Sequence, residues 1–325
     1  MRRIGLLAIA VICGLSVAAC SSASKPAASS PNGGASLGAI KVGTSSSASN
    51  AGLYKANVAG GSLSKHGLNA ALQVVTSGAQ AVPLLLNGQL QFTAADPLSA
   101  MVAMSKKVPL EIVATGNSIG TSAPADNVQL VVRSAAGFTA AGLDGKTIAV
   151  NALNGLSEVA AKAAIDKAGG DSSKVKFVVL PFSQSNDAVK RGTVYGAVTG
   201  EPFLTAAKQT GLQVAMPIYS AVLPGAPQLV YVATKSYVSA HPSIVKAFSA
   251  SIAEANGQLA HSPADLKKVV ITSTNSTARV VDVIILPVFT PATVQIATLT
   301  AMQKLMVKYG VLSSEFALPP YVFSG

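Results

Sequence analysis

From Ile40 onward, short apolar runs recur along the chain, separated by stretches of helical length. Leu68–Val75 alternates apolar and polar positions and is rich in residues that suit a pleated, half-buried surface, so it predicts a strand. Ile40–Thr44, Leu90–Ala94, Leu110–Ala114, Val128–Val132, Thr147–Val150, Lys176–Leu180, Val194–Thr199 and Leu229–Ala233 read the same way. Helices are predicted between them. They cover Ala51–Ala59, a run that opens at Thr76-Ser77-Gly78 and ends at Leu86, Pro97–Ser105, a run from Gly155 to Ala168, and Asn186–Arg191. Strands alternating with helices of about ten residues point to α/β architecture with parallel sheets. The last third is helical in pattern. Ile244, Phe248, Ile252, Ala255 and Leu259 share one helix face after His241-Pro242, and Ala292–Lys308 predicts another helix. With no domain of its own, this segment is expected to pack back on the first α/β unit.

The pattern repeats. Gly88 opens a strand that ends at Asp96-Pro97, and Gly192 opens one that ends at Glu201-Pro202. In the first unit 32 residues separate Val42 from Val74, and 18 separate Val74 from Phe92. In the second, 30 separate Ile148 from Val178, and 17 separate Val178 from Tyr195. One α/β unit made twice predicts two similar lobes, and two lobes make a cleft.

Composition narrows the class. The chain has 325 residues, of which 50% are apolar and 11% charged, so it can bury a core and is not of disordered composition. Met1-Arg2-Arg3 followed by the apolar stretch Ile4–Val17 reads as a signal peptide over residues 1–19. That stretch is short for a spanning helix, which needs about 20 residues. Val17-Ala18-Ala19-Cys20 resembles the lipobox of bacterial lipoproteins, which implies lipidation at Cys20. Residues 20–38, rich in Ser, Ala, Gly and Pro, then form a flexible tether. Cleavage before Cys20 removes Arg2 and Arg3 and lowers the formal charge from +11 to +9. The chain has only two cysteines, Cys13 and Cys20, so the mature fold would have no disulfide, thiol nucleophile or thiolate metal site. The lysines are scattered, without the basic face or interleaved aromatics of a nucleic-acid binder.

Several segments, in order, resemble one family. They are Leu143-Asp144-Gly145-Lys146-Thr147-Ile148-Ala149-Val150, then Ala188–Gly192, then Thr199-Gly200-Glu201-Pro202. Gln228–Ser236 and His241–Phe248 follow. Together they resemble the solute-binding proteins of ABC importers, in the branch that includes nitrate, sulfonate, taurine and thiamine-pyrimidine binders. The likeness covers roughly residues 40–260. The family's strand motif, Gly-x-Val-Asp-Ala, is altered here, with Gln91 and Tyr195 at the acidic position. The resemblance implies a two-lobed type II periplasmic-binding-protein fold. Each lobe is a mixed, mostly parallel sheet flanked by helices, and two crossing strands join them. It places lobe one at 39–130 and 226–325, and lobe two at 131–225.

In such a fold ligands sit at the C-terminal ends of parallel strands, opposite helix N-termini that suit anions. The candidate ligand positions are therefore strand-end loops. In lobe one they are Ser45, Ser46, Ser47, Asn50, Ser77, Gly78, Asp96 and Asn117. In lobe two they are Asn151, Leu153, Asn154, Gly155, Phe182, Ser183, Thr199 and Glu201. Bland readings stand beside these. The serines can simply solvate a loop, and Asn151 and Asn154 can be turn or cap residues. Asp96 and Glu201 can cap their own helices, with Ser77 a plausible N-cap too. Phe182, Tyr54 and Tyr219 can stack on a planar ligand or belong to the core. His66, His241 and His261 have no acid or cysteine beside them in sequence. Arg133, Arg191 and Arg279 look peripheral to the cleft.

No HExxH or phosphate-loop motif is present, and the acids are dispersed. An enzymatic branch of this fold that makes a thiamine pyrimidine uses a cysteine-rich motif, which the mature chain would lack. No catalytic residue, metal or cofactor is assigned. The expectation is a monomeric lipid-anchored receptor on the outer face of the membrane. It captures an organic anion such as a sulfonate, nitrate or a small heterocycle, and docks on a permease with its ATPase. A sensor or adhesion lipoprotein of the same fold is the alternative, and an enzyme the weaker one.

Overall fold

The computed structural model describes residues 36–325 apart from Thr76, Ser77 and Ala292; Cys20, the signal-like segment and most of the tether lie outside the described residues. Ten strands form two five-stranded sheets. In chain order they are β1 (Gly38–Thr44), β2 (Leu68–Val74), β3 (Phe92–Ala95), β4 (Leu110–Ser118), β5 (Val128–Val132), β6 (Thr147–Val150), β7 (Lys176–Val179), β8 (Gly196–Gly200), β9 (Gln213–Pro217) and β10 (Pro227–Thr234). The first sheet runs β2-β1-β3-β10-β4 and the second β7-β6-β8-β5-β9. Each has the same plan: three parallel strands, then two antiparallel joins. The repeat in the sequence is thus a repeat of topology.

The two strands expected to cross between lobes each belong to a sheet. β5 lies between β8 and β9, and β10 between β3 and β4. The links between sheets are the short connectors that precede them, residues 119–127 and 218–226. β9, with half-buried Val214 and Ala215, is a strand the apolar pattern did not mark.

Helices cover both faces of the sheets. Phe92 stacks on Phe248 of the Pro242–His261 helix at 4.0 Å between ring centroids, and Tyr231 of β10 meets Phe248 edge-on. This helix packs on the first sheet, as its apolar stripe predicts. The C-terminal helix begins at Ile296, four residues later than the pattern suggested, and ends at Lys308. It does more than pack back on lobe one. Its buried Leu299, Met302 and Met306 join a core that also holds Leu98, Leu110 and Val230 of the first half and Val132, Ile148 and Val159 of the second. Tyr309, just past its end, donates its hydroxyl to Asp166 of the Leu156–Lys167 helix at 2.8 Å. The chain then returns to the first sheet, where Phe323 N–H donates to Ile112 O.

Gln91, one of the two departures from the family motif, has a structural task. Its amide oxygen accepts from Lys41 N at 2.7 Å, and its amide nitrogen donates to Gly88 O. It fastens the start of β3 to β1, work the family's acid is suited to do.

Candidate functional site

β1, β2, β3, β6, β7 and β8 each lead on into a helix, and the candidate residues sit at the ends of those strands, apart from Asn117, which lies near the end of β4. Asp96 follows β3. It is the N-cap of the Pro97–Ser105 helix, its Oδ1 accepting from Ser99 N at 2.9 Å. The same oxygen accepts from Leu156 N at 3.3 Å. Leu156 is the first residue of the Leu156–Lys167 helix on the other sheet. One carboxylate therefore answers the free N–H groups of two helix N-termini, one from each lobe. Gly155 lies at this junction, where a Cβ would make ordinary contacts 3.4 Å from Ser99 Oγ and 3.6 Å from Asp96 Oδ2.

The loop before that helix is shaped by its own hydrogen bonds. Asn154 adopts a left-handed backbone, with φ of 59°. Its N–H donates to Glu158 Oε2 at 2.7 Å, and Glu158 pairs in turn with Lys162. The Asn154 and Leu153 side chains are exposed. Asn151 Oδ1 accepts from Ser157 Oγ at 2.6 Å, and Ser157 Oγ also bonds the hydroxyl of buried Tyr219. Burial, with the charges of Asp96 and Asp126 adding to it, raises the Tyr219 pKa against the pull of the Ser157 bond, so this hydroxyl stays protonated.

In the first lobe, Asn50 donates from Nδ2 to Ser45 O at 3.2 Å and to Ser45 Oγ at 3.0 Å. The carbonyl acceptor fixes the amide orientation and leaves Oδ1 as the free end. Ser47 caps the short turn at Ala48–Asn50, while Ser46 is exposed. Asn117, fully buried near the end of β4, donates to Gln228 Oε1 at 2.9 Å. Gly78 starts the helix that follows β2, and Ser77 lies outside the described residues.

In the second lobe, Phe182 is half-buried at the start of its helix, close to Gly200 and 6.5 Å from the Phe203 ring. Ser183 is exposed. Thr199 is fully buried and faces Gln129 across the β5–β8 ladder. Glu201 accepts from Thr205 N, from Thr205 Oγ1 and, through Oε1, from Ile285 N at 3.0 Å. It therefore caps the Phe203–Gln209 helix and ties the late segment around Ile285 to it. Burial raises its pKa despite these bonds.

Among the candidates, Asn50 Oδ1, Asn117 Oδ1 and Thr199 Oγ1 are buried side-chain atoms with no hydrogen-bond partner. An unpaired buried polar group costs about 1–3 kcal/mol, and Asn186 Oδ1, Tyr231 OH, Asn256 Oδ1 and Gln303 Nε2, outside the candidate set, are in the same state. No Lys or Arg is among the candidates. Arg133 lies at the opposite end of the second sheet, beside Gly192 ahead of β8. Among the described residues no group of three His, Cys, Asp or Glu is placed to hold a metal ion. A cavity of about 540 Å³ between Tyr54, Leu72 and Val269 is lined by none of the candidate ligand positions.

Sequence reasoning missed Asp126. It is fully buried in the first connector and accepts from Val128 N at 3.1 Å, Ile218 N at 3.0 Å, Ser220 N at 2.8 Å and Ser220 Oγ at 2.9 Å. The one local cue was an acid–amide pair, Asp126-Asn127, set directly before a wholly buried strand.

Two mixed sheets of matching topology, joined by two connectors with strand ends facing across, define the periplasmic-binding-protein fold. Solved structures that share it include the following three. The alkanesulfonate-binding protein SsuA from Xanthomonas axonopodis pv. citri, bound to MOPS, superposes with a TM-score of 0.71 at 18% identity, covering 88% of this chain and 98% of that one. The ligand-binding component of an ABC-type import system from Staphylococcus aureus, with zinc bound, gives 0.75 at 12% identity, covering 88% and 96%. The periplasmic nitrate-binding protein NrtA from Synechocystis PCC 6803 gives 0.62 at 15%, covering 74% and 68%. Comparison with curated proteins gives no match. Residues 34–272 match the NMT1-like family, and the chain belongs to it.

Proposed function

We propose that this chain is an extracytoplasmic solute-binding lipoprotein of an ABC importer. It is anchored through Cys20, tethered by residues 20–38, and closes two lobes around a small ligand. Lobe one comprises 39–130 and 226–325, and lobe two 131–225. The observation that carries the reading is the pair of helix N-termini meeting at Asp96, one from each sheet, because closure of two lobes is how such a fold commits to a ligand. The family, the shared fold and the lipobox-like Val17-Ala18-Ala19-Cys20 support it. Binding shifts open and closed populations and makes no bond, so the protein is a receptor rather than an enzyme and acts as a monomer.

A sulfonate or nitrate would have to be held by backbone N–H groups and hydroxyls, since no cation stands among the candidates. A small heterocycle is the second reading. It is favoured by one feature: Asp96 already faces the Leu156 N–H, and Asn50 offers a carbonyl oxygen, so N–H donors on the ligand would find acceptors. Thermal melts with taurine, an alkanesulfonate, nitrate and aminopyrimidines separate the classes. A ligand at 100 times its Kd should add about 2.7 kcal/mol of stability. If none of the panel raises the melt and no small molecule co-purifies, the receptor reading fails.

A further inference from the structure

The edge of the second sheet that points away from Asp96 is basic. Arg133, Lys146, Lys176 and Arg191 are scattered along the sequence, and the strand register gathers them at that edge. Lys176 opens β7 opposite Thr147, and its N–H donates to Lys146 O at 2.8 Å. Tyr195 N donates to Thr147 O at 2.9 Å, and Arg133 follows Val132, which pairs with Gly196. With about 4.8 Å between neighbouring strands, Lys176 beside β7 and Arg133 beside β5 are three steps, about 14 Å, apart. The Arg133 guanidinium lies over Gly192, the residue after Arg191, where a Cβ would stand 3.2 Å from Nη1. All four cations are exposed, and among the described residues none has an ion pair. The acids of the flanking turns are already used, Asp144 and Asp171 by Lys174 and Asp187 by Lys190. Tyr195 keeps the row unbroken. It stands where the resembled strand motif has an acid, which here would fall between Lys146 and Arg133. Its ring instead takes the Lys146 ammonium, 5.3 Å from the centroid. The first lobe has no matching row. Gln91 is spent on Lys41 N and Gly88 O, and Lys235, which follows β10 as Arg133 follows β5, lies 3.8 Å over the Tyr321 ring with Glu111 near it.

We propose that this row is a docking surface for a linear phosphodiester polymer lying outside the membrane. Cations set in one line at strand spacing meet successive phosphates of a chain laid across the strands, and each contact releases a counterion. A flat anionic bilayer would call for a broad basic face instead. The place of the row in the molecule points the same way. The tether enters at Gly38, the first residue of β1, at the end of the first sheet turned away from the candidate site. The two sheets face each other through their other ends, where Asp96 meets Leu156 N. The row is therefore at the end of the molecule opposite the tether. The inference rests on the export and anchoring reading for where the polymer is met, and on capture of no solute.

The test uses the full chain with Cys20→Ser and a fluorescent poly(glycerol phosphate), read by anisotropy between about 50 and 200 mM salt. Four phosphate contacts on a single-stranded polyanion give a slope of log K against log salt of about −2.8. Arg133→Gln with Lys146→Gln is expected to halve that slope and to weaken binding about tenfold at the lower salt. Lys106→Gln with Lys107→Gln removes the same charge from an exposed turn of the first lobe and should leave slope and affinity unchanged. Tyr195→Asp restores the acid and should weaken binding about as much as the double substitution in the row, whereas Tyr195→Phe keeps the ring and should bind like the parent. The inference is overturned if the polymer does not bind the parent, or if the Lys106 and Lys107 pair matters as much as the row. Phosphatidylglycerol vesicles that bind through the same row more tightly than the polymer would overturn it too. Should Tyr195→Asp fail to fold, the double substitution at exposed Arg133 and Lys146 decides alone. A chain that binds no solute in the thermal panel would give the same polymer result, so this inference and the capture reading fail separately.

Discussion

Two carboxylates at matching strand ends do different work. Asp96 caps its own helix and reaches the facing one, while Glu201 is buried in a three-donor pocket. Asp96→Ala removes an N-cap and should cost about 1 kcal/mol, seen as a melting shift of about 2 °C in a chain of this size. Asp96→Asn retains an acceptor and should lose little; equal losses in the two variants would refute the capping role. Glu201 titrates with the opposite sense to an exposed acid. Burial raises its folded pKa above the ordinary 4.5, despite its bonds to Ile285 and Thr205. The folded state then binds more protons in the window just above 4.5, so this group adds stability as pH falls through its raised value and loses it as pH rises. Denaturant melts across that window should show a smaller pH slope in Glu201→Gln than in the parent.

At the scale of elements, the C-terminal helix is the part whose role changes most once packing is known. Leu299, Met302 and Met306 form a stripe that any partner could cover, and the helix lies on both lobes. Its end is fastened where Tyr309 donates to Asp166. Burial pulls the Asp166 pKa upward, but the Ser172 and Tyr309 bonds and the nearby Lys308 outweigh it and leave the pKa below the ordinary 3.8. This contribution is therefore present above pH 3.8 and is lost as pH falls through the lowered value. Tyr309→Phe should reduce that acid-side loss and speed amide exchange at the end of the helix. An exchange pattern identical to the parent's would show that the hydroxyl does not hold the helix end.

At the scale of the molecule, one apolar cluster runs through both sheets and the C-terminal helix, and the described residues form one compact unit. Lobes that share a core should unfold together. Phe248→Ala in the first lobe should cost about 3–5 kcal/mol, and it should move the unfolding of probes in the second lobe by the same amount. Two separated transitions would mean that the shared cluster does not couple the lobes. Across the sheets, Asp96–Leu156 is a single contact, whereas the connectors carry a buried carboxylate with four donors, counting Val128 N of its own strand.

Strand periods and helix stripes are local, so the sequence by itself determined most elements, the duplicated α/β plan and the strand-end positions of Asp96, Asn117, Thr199 and Glu201. Pro97–Ser105, Val128–Val132 and Thr147–Val150 have the ends their pattern assigns. β9 was illegible because its apolar run is short and only half-buried. His66 finds Glu254 188 residues away, a pairing no neighbour in sequence reveals. Only the tertiary structure decided that Asp96 answers two helices, that the C-terminal helix spans both lobes, and that Asp126 clasps the connectors. Each of these depends on which unpaired N–H groups and apolar stripes meet after folding, and a periodic pattern specifies that such groups need partners without specifying which ones.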